Sequence, residues 1–293
     1  MRIVILGGTG LLGHKLWQIL GGRFADCCVM LRGARADYAH CKLFDDARVI
    51  DNVNAADFNA LDAALLQTSP QVIVNCIGVT KRREPPGDPA PSILLNALLP
   101  HHLAAWGEKH GARIINFSTD CVFDGKRGSY TEADLTNAED LYGRTKALGE
   151  ISAGTALTIR SSFIGRELAD GTELLEWFLA QQGKTIRGYR NALYSGVSTL
   201  HLAQVVGDII VGFADLRGLY HVASKVISKY ELLLLARDAF GTDVRIEPAD
   251  DVVIKRNLDS ERFQRVTGYA PPDWGSMMGE LAADPTLYAD WRT

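Results

Sequence analysis

The chain has 293 residues, enough for one large or two modest domains with well-buried cores. Apolar residues make up 47% and charged residues 23%, and 31 Lys plus Arg against 35 Asp plus Glu leave a net charge of −4. That balance excludes a general electrostatic attraction to nucleic acid or to an anionic membrane, and no apolar stretch is long enough to span a bilayer. The five cysteines (Cys27, Cys28, Cys41, Cys76, Cys121) have no CxxC spacing, so reduced thiols are expected rather than disulfides or a zinc site. The apolar run Ile3-Val4-Ile5-Leu6 directly after Arg2 shows no signal-peptide pattern, and the expected compartment is the cytoplasm.

In chain order, Arg2 to Leu6 reads as a buried strand, followed by Gly7-Gly8-Thr9-Gly10-Leu11-Leu12-Gly13 and a helix through Leu20. Glycines at 7, 10 and 13 give a tight turn with bare backbone amides at a helix N-terminus. Such a turn holds a diphosphate, which makes Gly7, Thr9, Gly10, Leu11, Leu12 and Gly13 candidate dinucleotide contacts. The second strand, Cys27 to Leu31, ends at Arg32 with Arg35 close behind, where a site for NAD carries an acid. An arginine binds a 2′-phosphate bidentately, so NADP(H) is the expected cofactor; two solvated surface arginines are the alternative. Val49 to Val53 is the third strand, bringing Asp51 or Asn52 to the adenine. Asp57 to Thr68 is a helix, and Val72 to Cys76 is the fourth strand, running into Cys76, Ile77 and Gly78. Strand and helix alternate throughout, which argues an α/β protein with a doubly wound parallel sheet.

Lys81-Arg82-Arg83 lies in a loop at the C-terminal edge of this sheet, where ligands bind. Lys81 either meets an anionic substrate group there or belongs to a solvated charge run. Pro91 to Lys109 reads as a helix carrying Asn96. His101, His102 and His110 on or beside it share no metal-binding face, and no metal site is expected. The fifth strand, Arg113 to Phe117, delivers Ser118-Thr119-Asp120 to the ligand edge, with hydroxyls placed to hydrogen-bond a substrate oxygen. A helix opening near Leu141 puts Tyr142 and Lys146 on one face, one turn apart. The ammonium is expected to favour the phenolate and lower the tyrosine's pKa, making an acid–base device.

Ala156 to Arg160 is the sixth strand. The chain divides into a dinucleotide-binding domain over 1–160, to which it returns at about 195–222, and a smaller domain over 161–293. Glu173 to Gln182 has the apolar spacing of an amphipathic helix, and Lys184, Arg187 and Arg190 form a basic cluster behind it. A helix to Phe213 and a strand at Leu219 to Val222 follow. Ser228 and Glu231 have capping-box spacing and open another helix.

Four motifs taken together, Gly7 to Gly13, Asn75-Cys76-Ile77-Gly78, Ser118-Thr119-Asp120-Cys121-Val122-Phe123-Asp124-Gly125 and Tyr142-Gly143-Arg144-Thr145-Lys146, resemble the extended short-chain dehydrogenase/reductase superfamily. The third points to its dTDP-4-dehydrorhamnose reductase branch. The resemblance implies a Rossmann-like sheet with a smaller α/β substrate-binding domain. It implies NADPH-dependent reduction of the 4-keto group of a nucleotide-activated 4-keto-6-deoxy sugar, in deoxysugar or polysaccharide precursor synthesis. Tyr142 would protonate the carbonyl oxygen, Lys146 would hold the nicotinamide ribose, and Thr119, with Ser118 as substitute, would hydrogen-bond the carbonyl.

By the same resemblance Lys81, Ser118, Asp120, Cys121 and Phe123 would line the substrate mouth, Arg187 and Arg190 would neighbour the nucleotide diphosphate, and Arg256 would face the substrate. Two departures stand out: Cys121 replaces the branch's tyrosine, and the loop at Lys81 to Arg83 is basic where many relatives are acidic. The alternatives within the superfamily are an epimerase or dehydratase that keeps NAD bound, and a non-catalytic NADP-binding regulatory subunit. A homodimer is expected because relatives often form one.

Overall fold

The computed structural model describes residues 1–168 and 171–288, apart from the side chains of residues 40 and 41. Seven parallel strands form the central sheet. In chain order they are β1 (Ile3–Leu6), β2 (Cys27–Met30), β3 (Val49–Ile50), β4 (Val72–Asn75), β5 (Arg113–Ser118), β6 (Leu157–Arg160) and Gly218–His221. In space the order is Gly218–His221, β6, β5, β4, β1, β2, β3. The central strand β1 is buried on both faces, as a parallel sheet covered on both sides requires. Its alternate residues separate into two cores. Ile3 and Ile5 pack with Leu16 and Leu20 of α1 (Gly13–Arg23), whereas Val4 and Leu6 pack with Leu61 and Leu65 of α2 (Phe58–Thr68) and with Leu99 and Leu103.

Helix Thr199–Gly212 packs on α1, and Gly218–His221 then pairs with β6, so the chain re-enters the sheet after its excursion. Beyond the sheet lie small ladders. Thr185–Tyr189 runs parallel to Arg245–Ala249, and Ala192–Tyr194 lies between Ile227–Ser228 and Ile254–Lys255. Helix Lys229–Phe240 opens with the capping box read from Ser228 and Glu231.

Several boundaries differ from those read in the sequence. β3 stops at Ile50 because Asn52 takes a left-handed φ of 57°. The amphipathic helix is shorter, Leu174–Leu179. The long helix is continuous, Ala90–Ser92 leading through a π-helical segment, Ile93–Leu98, into Leu99–His110. Asn96 sits in that wider segment, a feature common at functional sites. Among the described residues no helix is long and apolar enough to cross a membrane.

The sheet order reverses between β1 and β4, whose ends stand side by side with Leu6 opposite Asn75. Their loops diverge there and leave a crevice at the carboxyl edge, the place where open α/β sheets bind ligands.

Candidate active site

The glycine loop forms one wall of that crevice. Gly7 has φ 80°, and the Gly10 N–H donates to its carbonyl at 3.0 Å. A Cβ on Gly13 would stand 2.1 Å from the same carbonyl oxygen, so only glycine lets α1 begin this close to the turn. Leu12 at the N-cap supplies no side-chain cap, and the first turn of α1 carries no acid. The helix therefore presents a positive pole to the crevice. A segment from the C-terminus braces this turn from behind: His14 Nδ1 bonds the Gly10 carbonyl at 2.9 Å, and its Nε2 meets the Tyr288 hydroxyl at 3.2 Å. Below it the buried Lys15 pairs with Asp284.

At the end of β2 the two arginines part company. Arg32 is exposed and has no partner among the described residues. Arg35, expected to contact the cofactor, is turned away: its guanidinium donates to the Val49 carbonyl and its backbone N–H donates to Asp51 at 2.6 Å. The carboxylate of Asp51 is thereby committed to the chain itself.

The opposite wall comes from β4, β5 and helix Leu141–Leu148. Asn96 holds the loop after β4 by both ends of its amide, its Oδ1 accepting from Val79 N at 2.8 Å and its Nδ2 donating to the Val79 carbonyl at 2.9 Å. Helix Leu141–Leu148 is capped by Asp140, which accepts from Gly143 N at 2.8 Å. Gly143 lets this helix sit against the end of β5, since a Cβ there would lie 2.2 Å from the Cys121 carbonyl oxygen. Gly149 plays the same part at the other end, against the Asn96 carbonyl.

Tyr142, Lys146 and Thr119 all line a cavity of about 330 Å³, together with Gly10, Leu11, Leu12, Cys76, Ile77, Gly78, Lys81, Ser118, Asp120 and Cys121. Lys146 Nζ donates to the Phe117 carbonyl at 2.6 Å, and burial lowers its pKa to about 8. The Thr119 hydroxyl accepts from Cys121 N and donates to Asp120 Oδ1, both at 3.1 Å, and also meets the Tyr142 phenol. The expected lowering of the tyrosine's pKa does not occur. Burial, followed by the nearby Cys121, pushes the Tyr142 phenol up, and the Thr119 hydrogen bond opposes them only in part. The phenol is held as an acid.

Several further readings are corrected by where side chains point. Ser118 is no equal of Thr119: its hydroxyl donates to Glu150 at 2.6 Å, inside a buried pair with Arg160. Phe123 is fully buried, stacked on Tyr130 at 4.1 Å, and does not line this cavity. Arg190 pairs with Asp250 at the surface, away from both cavities. Arg256 binds the Phe123 carbonyl at 3.0 Å and touches Cys121 Sγ at 3.7 Å from outside the cavity lining. Cys121 does line the cavity, but burial pushes its thiol up to about 12, so it is a poor nucleophile.

The basic loop is put to three uses. Lys81 pairs with Asp140, tying the loop to the cap of the tyrosine helix, and Arg83 pairs with Glu167. Arg82 lines the cavity and has no ion-pair partner among the described residues. A second cavity, of about 390 Å³, adjoins the first, sharing Leu11, Arg82, Ser162, Phe163 and Glu173 with it and reaching Arg187, Trp177, Tyr189 and Lys229. Glu173 and Lys229 were not singled out in the sequence: one appears there as a helix residue and the other as an ordinary lysine after a cap. Among the described residues no group of three His, Cys, Asp or Glu could hold a metal.

Residues 1–284 match the family model for the RmlD substrate binding domain. The chain belongs to the RmlD family. The dTDP-4-dehydrorhamnose reductase of Aggregatibacter actinomycetemcomitans is 26% identical to this RmlD-family chain over 96% of it and 98% of that protein. Subunit beta of methionine adenosyltransferase 2 from Bos taurus is 31% identical, across 51% of this chain and 41% of that protein. In three dimensions the RmlD-family chain is similar to a hypothetical dTDP-4-dehydrorhamnose reductase from Sulfolobus tokodaii, with TM-score 0.76, 24% identity, and 94% and 98% of the two chains covered. It is likewise similar to the dTDP-4-dehydrorhamnose reductase of Bacillus anthracis solved with NADP, with TM-score 0.77, 18% identity, and 96% and 98% covered. These structures share the chain's Rossmann-like α/β fold.

Proposed function

We propose that this RmlD-family protein is an NADPH-dependent reductase of the 4-keto group of a nucleotide-activated 4-keto-6-deoxy sugar. The observation that carries the reading is the convergence of Thr119, Tyr142 and Lys146 on one cavity floored by the glycine loop. Gly10 to Gly13 and the uncapped start of α1 fit a dinucleotide diphosphate, and Cys76 to Gly78 fit the far side of the same ligand. Arg32 suits a 2′-phosphate, with Asn52 beside it at the sheet edge. We place the division between the cofactor-binding and substrate-binding parts near Arg160.

When bound, NADPH supplies the hydride. The chain's own residues do the rest. Thr119 turns its hydroxyl hydrogen to the carbonyl oxygen and stabilises charge as it builds there. Tyr142, kept protonated by burial, gives its proton to that oxygen. Lys146, fixed by the Phe117 carbonyl and lining the same cavity one helical turn from Tyr142, would hold the nicotinamide ribose. Asp120 and Cys121 shape the sugar end of the cavity.

Replacing Arg32 with Glu should shift preference from NADPH toward NADH by at least ~10-fold in kcat/KM, the loss of one charge-assisted contact. Unchanged preference would defeat the assignment of Arg32. Gly13→Ala should weaken NADP+ binding at least ~10-fold, measured by fluorescence titration, because its methyl group meets the Gly7 carbonyl.

The similarity to methionine adenosyltransferase subunit beta favours a second reading, a cofactor-binding regulatory subunit. NADPH oxidation followed with nucleotide-activated 4-keto-6-deoxy sugars separates the two. The reductase reading expects turnover, and NADP+ binding without turnover of any such sugar supports the regulatory one. A protein purified with tightly bound NAD would instead indicate an epimerase or dehydratase.

A further inference from the structure

The second cavity contains a cation that the sequence did not mark and that makes no direct ion pair among the described residues. Lys229 is the first residue of helix Lys229–Phe240, just after the capping Ser228. Its ammonium lies 4.0 Å above the centre of the Tyr194 ring, with no hydrogen bond or carboxylate partner among the described residues. The other basic residues in this neighbourhood are differently disposed. Arg187 lines the cavity but is held by Asp251, and Arg190 is held by Asp250 outside it. Arg82 lines both cavities at their junction.

Burial is the main influence on Lys229, drawing its pKa down to about 8; Asp120 and Cys121 pull it back up, and Arg82 adds to the lowering. Those neighbours locate it. Asp120 and Cys121 follow Thr119 at the end of β5, so the ammonium lies between the sugar end of the first cavity and the part of the second lined by Trp177, Arg187 and Tyr189. A half-buried ammonium that touches an aromatic face and has Asp120 near it but not in contact has given up water without a direct ion pair, which is costly unless an anion completes it.

We propose that Lys229 is a specificity-determining residue that binds the phosphoryl group adjoining the sugar, with Arg82 assisting from the junction. This deepens the reading as a nucleotide-sugar reductase and rests on it. A ligand lying along the two cavities would have its carbonyl at Tyr142 and its diphosphate at Lys229. Its nucleoside would lie among Trp177, Tyr189 and Arg187. Sugars lacking a phosphoryl group would forfeit the contact.

The test is calorimetric titration of the full chain, saturated with NADP+, with dTDP, thymidine and inorganic pyrophosphate. Lys229→Met keeps an unbranched side chain over Tyr194 while removing the charge, and Lys229→Arg keeps the charge. Lys229→Met should bind dTDP about 30-fold more weakly, leave thymidine and NADP+ binding unchanged, and be rescued to within about 3-fold by Lys229→Arg. Pyrophosphate binding that falls in parallel with dTDP assigns the loss to the phosphoryl groups. Normal dTDP binding by Lys229→Met overturns the assignment while leaving the reductase reading intact. Equal loss for thymidine and dTDP also overturns it, because the effect would then be one of cavity shape. Failure of the unaltered protein to bind any nucleoside diphosphate would remove the nucleotide-sugar reading itself.

Discussion

Tyr142→Phe should lower kcat by at least ~10³-fold while changing the affinity for NADP+ less than ~3-fold, because it deletes the proton donor and little else. The phenol lines the cavity beside Thr119, and burial holds it protonated, so the hydroxyl is the group positioned to meet a carbonyl. The ring would remain where it is, since helix Leu141–Leu148 is fixed independently by the Asp140 cap and by the close seat of Gly143 against Cys121. Steady-state assay and cofactor titration of the same preparation check both halves. A variant that keeps more than a tenth of the activity would sink the role assigned to Tyr142.

Glu150→Ala should cost about 3–5 kcal/mol of stability, the cost of leaving one partner of a buried ion pair unpaired. Arg160 donates to Glu150 from Nε and Nη2, each at 2.6 Å, and the side chains are only 4% and 9% exposed. The same guanidinium lies over the Phe123 ring and reaches His221 Nε2 at 3.1 Å. His221 in turn bonds the Asp259 carbonyl at 2.9 Å. One network therefore joins the ends of β5, β6 and Gly218–His221 to the C-terminal part of the chain, immediately behind Ser118 and Thr119. A fall in melting temperature of roughly 10 °C is expected by calorimetry, taking ~2–4 °C per kcal/mol for a protein of this size. Adding Arg160→Met should recover part of the loss, since it removes the stranded charge. If Glu150→Ala melts with the unaltered protein, the network carries no stability.

Much of this arrangement was legible in the sequence where backbone geometry dictates residue type. Gly7, Gly13 and Gly143 mark places where a Cβ or a negative φ cannot be accommodated, and the apolar runs of β1, β4 and β5 end at the glycines and hydroxyls that meet the ligand edge. What the sequence could not tell was the direction of long side chains. Arg32 and Arg35 are three residues apart, yet one is exposed at the end of β2 and the other is bound to Val49. Arg187 and Arg190 are both ion-paired, to Asp251 and Asp250, yet only Arg187 lines a cavity. Phe123 belongs to a motif but serves as the platform for Arg160.

The tyrosine's pKa was misread for a related reason. Helical spacing places the lysine one turn away but is silent on how deeply the phenol is buried, and burial decides the direction. Lys229 escaped notice because a lysine after a capping serine is unremarkable until the fold lays Tyr194 beneath it. Asn96 showed no local signal for its grip on both polar groups of Val79, a contact made across 17 positions of chain.

In the proposed reaction, hydride from the nicotinamide reaches C4 of a nucleotide-activated keto sugar while Tyr142 supplies a proton to the oxygen. The most direct measurement uses NADPH deuterated at C4 of the nicotinamide, on the transferred face, with dTDP-4-dehydrorhamnose as substrate, and reads the product by NMR. One deuterium is expected at C4 of the 6-deoxysugar and none elsewhere on the ring, with that incorporation lost in Tyr142→Phe. Product formed without deuterium at C4, or deuterium from heavy water appearing at C3 or C5 with no net oxidation of NADPH, would contradict it.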